Sequence, residues 1–152
     1  GDSMKYKLSL FFIALVLFTG CGKKNLTCEK KEKGTGYTYN EKYELIYNNN
    51  GVDLKKINVE MLYKFNELYT EEELKSEYSK VSEYCDVYNS GSRKIISCSS
   101  NLNKNVIKIN LSTDVEKISD SEFEDIMYVT KDEINNIKDT KKLLKNVGYS
   151  CK

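Results

Sequence analysis

Apolar and polar residues alternate along two long stretches of the chain, and this alternation predicts two β-strands. In residues 37–47, five odd positions hold four tyrosines and a leucine, and residues 57–65 repeat the pattern with other apolar side chains. A period of two is typical of a strand with one buried face. Asn50 and Gly51 lie between the stretches and predict a hairpin turn, because both residue types tolerate a positive φ.

Three further strands are predicted, over residues 26–32, 94–99 and 106–111, with turns in the glycine- and asparagine-rich segments between strands.

Two capping boxes predict the main helices. Thr70 followed by Glu73 is expected to start one helix, and Thr130 followed by Glu133 another that stops at Gly148. A short helix is expected near residue 121. The apolar stripe of the first main helix consists of Leu74, Tyr78, Val81 and Cys85, and that of the last of Ile134, Ile137, Leu144 and Val147.

These elements predict a single α+β domain over residues 26–152. We expect a β-sheet of about four to five strands with the two main helices packed on one face.

The N-terminal segment has the pattern of a signal peptide. Lysines follow Met4, and residues 8–18 form an apolar run broken by one serine. As a helix, this run spans only about 16 Å against roughly 30 Å of bilayer hydrocarbon, so a permanent transmembrane helix is not expected. Residues 1–3, which precede Met4, are interpreted as vector-derived.

The end of this segment, Phe18-Thr19-Gly20-Cys21, resembles the lipobox of bacterial lipoproteins. The resemblance implies cleavage between Gly20 and Cys21 and a diacylglyceryl anchor on the Cys21 sulfur. Residues 21–25 would then tether the domain to the outer face of the cell membrane. An ordinary secretory signal with a chance cysteine is the alternative.

Composition excludes several classes of function. A net charge of +1 argues against a nucleic-acid partner. The chain has no His, which rules out Ser-His-Asp triads and HExxH zinc sites. Arg93 is the only arginine, whereas Lys, Asn, Ile and Tyr are frequent, which favours a low-GC Gram-positive source.

Apart from Cys21, four cysteines remain, and an even number in an exported domain indicates disulfides. Of the three possible pairings we favour Cys28 with Cys151 and Cys85 with Cys98. A structural zinc site and free thiols are the alternatives; we expect no metal and no cofactor.

Several of these features together resemble the small bacterial lipoproteins grouped with YehR. They are the lipobox, the basic linker, the early Thr27-Cys28 strand, the Asn-Gly hairpin and the final helix leading into Cys151. The resemblance covers nearly the whole mature chain and implies an α+β domain with an antiparallel sheet. It carries over no catalytic residue.

Two groups of side chains are candidates for a site. Tyr37, Tyr39, Tyr43 and Tyr47 form a row that either stacks on sugar rings or a protein partner, or is the inner face of the sheet.

Acidic residues offer oxygen ligands for Ca²⁺ but lack the EF-hand spacing, and a solvated acidic face is the simpler interpretation. They are Asp114, Glu116, Asp120, Glu122, Glu124 and Asp125, while Glu71, Glu72 and Glu73 occupy the favourable first turn of a helix.

The sequence therefore predicts a membrane-anchored extracytoplasmic lipoprotein that acts as a binding or interaction module of the cell envelope. Its expected partners are the membrane, through Cys21, and an envelope protein or glycan. A carboxylate- or metal-dependent envelope enzyme and a purely structural envelope component are the alternatives.

Overall fold

The structure is a computed structural model that describes residues 23–90 and 96–152. The predicted signal peptide, with Gly20 and Cys21, lies outside the described residues. So do Arg93 and the first two residues of the strand predicted over residues 94–99.

The sheet has six antiparallel strands in the order β4-β5-β3-β2-β1-β6. The prediction of about four to five strands is wrong. The strand that was missed, β6, has only two residues, which is too short for any alternation to be visible. The strands are β1 (Lys23–Gly34), β2 (Tyr37–Asn48), β3 (Leu54–Phe65), β4 (Ile96–Asn103), β5 (Val106–Asp114) and β6 (Ser150–Cys151).

Three α-helices lie in the described residues: the two predicted main helices and the short helix expected near residue 121. They are α1 (Glu71–Ser90), α2 (Asp120–Met127) and α3 (Ile137–Asn146). The capping box at the start of α1 is present: the Glu73 amide donates to the Thr70 hydroxyl at 3.1 Å, and the Thr70 amide donates to the Glu73 carboxylate at 2.8 Å.

The last helix begins at Ile137, six residues later than the Thr130 box predicts. The two hydrogen bonds of that box form, but only the short 3₁₀-helix Asp132–Ile134 follows them. Asn136 then accepts hydrogen bonds from the amides of Lys138 and Asp139 and becomes the N-cap of α3. An asparagine side chain that satisfies free amide groups favours a new helix start over continuation of the old one.

All three helices cover one face of the sheet. The strand register places Leu26, Leu45 and Ile57 side by side on this face, and both hydrophobic clusters of the core lie on it. One cluster lies under α2, α3 and the two 3₁₀-helices, and the other lies under α1. The opposite face carries the even positions of β2, which are largely polar, as the alternation predicts.

Disulfide bonds join Cys28 to Cys151 and Cys85 to Cys98. These are the two pairings favoured from the sequence. The first ties β6 to β1 and the second ties α1 to β4, so each hydrophobic cluster contains one bridge. None of the helices in the described residues has the length and apolarity needed to cross a membrane.

Candidate functional site

The tyrosine row of β2 lies on the helix-covered face, but its four members differ in burial. Tyr47 is 0% exposed, and its hydroxyl lies 2.8 Å from both the Ile134 carbonyl oxygen and the Thr140 hydroxyl. Tyr37, Tyr39 and Tyr43 are only partly buried. The row is therefore the inner face of the sheet at one end and a partly open surface in the middle.

A cleft opens over the sheet between α1 and α2, and residues of both helices line it. It encloses a cavity of about 180 Å³. Its floor consists of inward-facing residues of the strands, among them Tyr43, Val59 and Met61, while α1 contributes Tyr84 and Tyr88 and α2 contributes Met127. We call these six residues, together with the adjoining Tyr39, Glu41, Tyr63 and Tyr149, the tyrosine cleft.

The two tyrosines of α1 form one wall of the cleft as a pair. Their rings meet edge to face with centroids 4.9 Å apart, and their hydroxyl oxygens are 2.7 Å apart. Tyr84 is half exposed, so this wall presents aromatic surface to solvent. A side chain with a large apolar ring and a polar tip is well suited to bind a ligand at a partly wet site.

A carboxylate, Glu41, lies among the tyrosines at the edge of the cavity. In register it is the cross-strand neighbour of Met61. The Tyr39 hydroxyl donates to one oxygen of Glu41 at 2.5 Å, and the Tyr149 hydroxyl donates to the other at 3.1 Å. The two phenols hold the carboxylate in a fixed position.

On β2, Glu41 is flanked by Tyr39 and Tyr43, and each of these packs against a second tyrosine. The rings of Tyr39 and Tyr63 lie 4.7 Å apart between centroids, and those of Tyr43 and Tyr149 lie 5.7 Å apart in an edge-to-face arrangement. Such contacts are within the range in which aromatic rings attract one another, so the side chains around Glu41 are preorganised.

Burial and the neighbouring carboxylate raise the pKa values of these phenols. For both Tyr39 and Tyr43, burial is the largest cause and Glu41 the next, and the pKa rises far above its usual value of about 10. Burial followed by the charge of Glu41 raises the pKa of Tyr149 to about 12, and burial and Tyr84 raise that of Tyr88 to about 12. At neutral pH the phenols are therefore protonated donors, which suits recognition.

The acidic residues considered for Ca²⁺ are not brought together. Asp114 caps the 3₁₀-helix Val115–Lys117, Glu116 pairs with Lys55, and Asp120 pairs with Lys131 at 3.4 Å. In residues 23–90 and 96–152, no group of three or more such side chains is arranged to hold a metal ion. The three glutamates 71–73 form the exposed first turn of α1.

Sequence reasoning missed most of the site. Glu41 is in phase with the tyrosines of β2, and a charged residue at an inward position is the signal that could have identified it. The contributions of Tyr84, Tyr88 and Tyr149 depend on how α1 and the C-terminal segment pack, which no local pattern encodes.

The fold is of the α+β class, with one antiparallel sheet covered by helices on one face. No family model matches the chain, and no curated protein matches it. Among solved structures it is similar to the NMR structure of the E. coli YehR protein, with a TM-score of 0.54 and 16% sequence identity. The match covers 85% of this chain and 91% of that chain. This likeness confirms the YehR-like fold that the sequence resemblance implies, and it concerns the fold alone.

Proposed function

We propose that the protein is a lipid-anchored binding module on the extracytoplasmic side of a bacterial membrane and that the tyrosine cleft is its ligand site. The observation that carries the proposal is a partly open cavity lined by tyrosines and methionines on an otherwise well-packed face. Ligand pockets are typically concave and mostly apolar, with a few placed polar groups.

The character of the polar groups favours binding over catalysis. The phenols around Glu41 are protonated at neutral pH and already bonded to the carboxylate. Methionine and tyrosine provide adaptable apolar contact, and the hydroxyl groups provide direction. This combination recognises a ligand without requiring a proton acceptor.

The anchoring half of the proposal is supported by the lipobox and by the position of the first strand. The described part of β1 begins at Lys23, two positions after Cys21 in the sequence. Two residues of chain reach at most roughly 7 Å, so an anchor on Cys21 would hold this end of the sheet close to the membrane. Lys23 and Lys24 are exposed there, and each contributes about 1 kcal/mol beside anionic head groups.

Anchoring is tested by metabolic labelling with an acyl precursor and by membrane fractionation of the wild-type protein and a Cys21→Ala variant. Wild-type protein should be labelled and should remain in the membrane fraction, whereas the variant should lose both properties. Two acyl chains give stable attachment and a domain without them does not. An unlabelled wild type, or a variant that remains in the membrane fraction, would contradict the proposal.

Binding in the cleft is tested by filling it. Val59 lies on the cleft floor, so Val59→Trp should occlude the cavity. Val87→Trp is the matched control, because Val87 is 71% exposed on α1 and lines no part of the cavity. In affinity capture from envelope extract, the control should retain the ligand that the wild type enriches, and Val59→Trp should lose it. Equal capture by both variants would exclude the cleft as the site.

A further inference from the structure

The carboxylate in the tyrosine cleft has no cationic partner among the described residues. Glu41 accepts two phenol hydrogen bonds and takes part in none of the ion pairs between described side chains. It is half-buried. A carboxylate removed from water is unfavourable unless an opposite charge compensates it, so Glu41 would be stabilised by a cation that enters the cleft.

The nearest lysine on this face is engaged elsewhere. Lys30 is the cross-strand neighbour of Glu41, yet its ammonium group pairs with Glu32 at 3.1 Å and donates to the Val147 carbonyl oxygen at 3.3 Å. The same ammonium group lies 5.5 Å from the centroid of the Tyr149 ring. One cation–aromatic contact thus already exists at the edge of the cleft, and the carboxylate beside it forms no ion pair with a described side chain.

The surroundings of Glu41 match the requirements of an organic cation. Aromatic faces attract ammonium groups through the ring quadrupole, and a nearby carboxylate adds a direct charge interaction. The rings of Tyr39 and Tyr149 are fixed beside the carboxylate by their hydrogen bonds, and the apolar cavity begins at Met61 next to it.

We propose that the tyrosine cleft binds an organic ligand through a methylated ammonium group, which lies against Glu41 and the surrounding tyrosine rings while the rest of the ligand occupies the cavity. The inference rests on the proposed function and names the chemical class that the cleft accepts. A methylated ammonium is favoured over a primary one because the tyrosine rings and the apolar cavity at Met61 offer contact to its methyl groups. A quaternary nitrogen has no N–H group and does not compete with the phenols that donate to Glu41.

The test is an NMR titration of the mature protein with choline and with 3,3-dimethyl-1-butanol, its neutral analogue of the same shape. Tyrosine ring resonances report on the cleft. We expect choline to shift them and to bind about tenfold more tightly than the alcohol, and ethanolamine to bind more weakly than choline. Equal affinity of choline and the alcohol would overturn the inference that the cleft selects a methylated ammonium. The cleft would still bind a ligand in that case, so failure of this inference is distinguishable from failure of the proposed function.

Glu41→Gln keeps the size of the side chain and one accepting oxygen for the two phenols, and removes its charge. This variant should bind choline no better than the neutral alcohol. Glu44→Gln is the matched control, since Glu44 lies on the same strand but on the opposite face, where it bonds to Asn58. The control should retain the preference for choline. Unchanged choline binding by Glu41→Gln, or no shift of the cleft tyrosines in the wild type, would refute the assignment.

Discussion

The tyrosines on one face of β2 differ in burial along the strand. Tyr47 is enclosed by the 3₁₀-helix Asp132–Ile134 and α3, with both hydroxyl partners at 2.8 Å. Tyr39 and Tyr43 are only partly buried, and the Tyr39 hydroxyl donates to the Glu41 carboxylate. The periodicity of a strand determines which face a side chain joins, and helix placement determines whether that face becomes core or cleft.

The largest expected effect is the loss of stability on removing the disulfides, one of which lies in each hydrophobic cluster. Replacing Cys28 and Cys151 by Ala should cost about 5 kcal/mol of unfolding free energy, because the bridge closes a separation of 123 residues. Replacing Cys85 and Cys98, which are 13 residues apart, should cost about 3 kcal/mol. Urea unfolding of both double variants measures the difference. The reverse order would contradict the expectation that the bridge closing the longer loop contributes more stability.

The second prediction compares the loss of the hydroxyl group at Tyr47 with its loss at Tyr43. Tyr47→Phe should destabilise the protein by about 2 to 3 kcal/mol, since it leaves the buried Ile134 carbonyl oxygen without this donor. Tyr43→Phe should cost less than about 1 kcal/mol, because a partly exposed group is solvated by water. Denaturant midpoints of the two variants provide the test. Similar losses of stability in the two variants would contradict the distinction between the buried Tyr47 and the partly exposed Tyr43.

Alkaline pH should reduce the stability that Tyr47 contributes. Burial raises the pKa of Tyr47 to about 12, from about 10 in the unfolded chain. A raised phenol pKa contributes stability below pH 10 that is lost as pH rises through 12, and the loss attributable to Tyr47 is about 2 kcal/mol by pH 12. The difference in stability between the wild type and Tyr47→Phe should therefore nearly vanish by pH 12. A difference that stays constant from pH 7 to 12 would contradict this.

The smallest expected effect concerns the helix that forms one wall of the cleft. Thr70→Ala removes the side-chain cap of α1 and should cost about 1 kcal/mol in thermal or urea unfolding. Thr35→Ala, an exposed turn substitution, should change stability by less than about 0.5 kcal/mol. If Thr70→Ala behaves like this control, the cap does not contribute to the stability of α1.

Local signals in the sequence predicted most of the sheet and the start of α1. Alternation identified β2 and β3, Asn50 and Gly51 predicted their turn, and the Thr70 box marked the helix. Prediction failed where two local signals competed, as when Asn136 displaced the Thr130 box as the start of a helix. It also failed at β6, whose pairing with β1 is a long-range contact.

The candidate site was less predictable than the fold. The tyrosine row was recognised, but the alternation rule considers apolar positions and so passed over Glu41 between them. The opposite wall, with Tyr84 and Tyr88, lies more than 40 residues after Glu41 along the chain and reaches the cleft only through the packing of α1. A cavity is a gap between elements, and local sequence patterns describe the elements but not the gaps.

Hydroxyl-radical footprinting of the mature protein tests the accessibility of the cleft most directly, with mass spectrometry resolving oxidation residue by residue. We expect Tyr39, Tyr43 and Tyr84 to be oxidised and Tyr47 to be protected, because only the latter is fully enclosed. Choline added at saturation should reduce oxidation of Tyr39 and Tyr43 and leave exposed Tyr128 unchanged. Protection of Tyr39 and Tyr43 equal to that of Tyr47 in the free protein would contradict the existence of an open cleft.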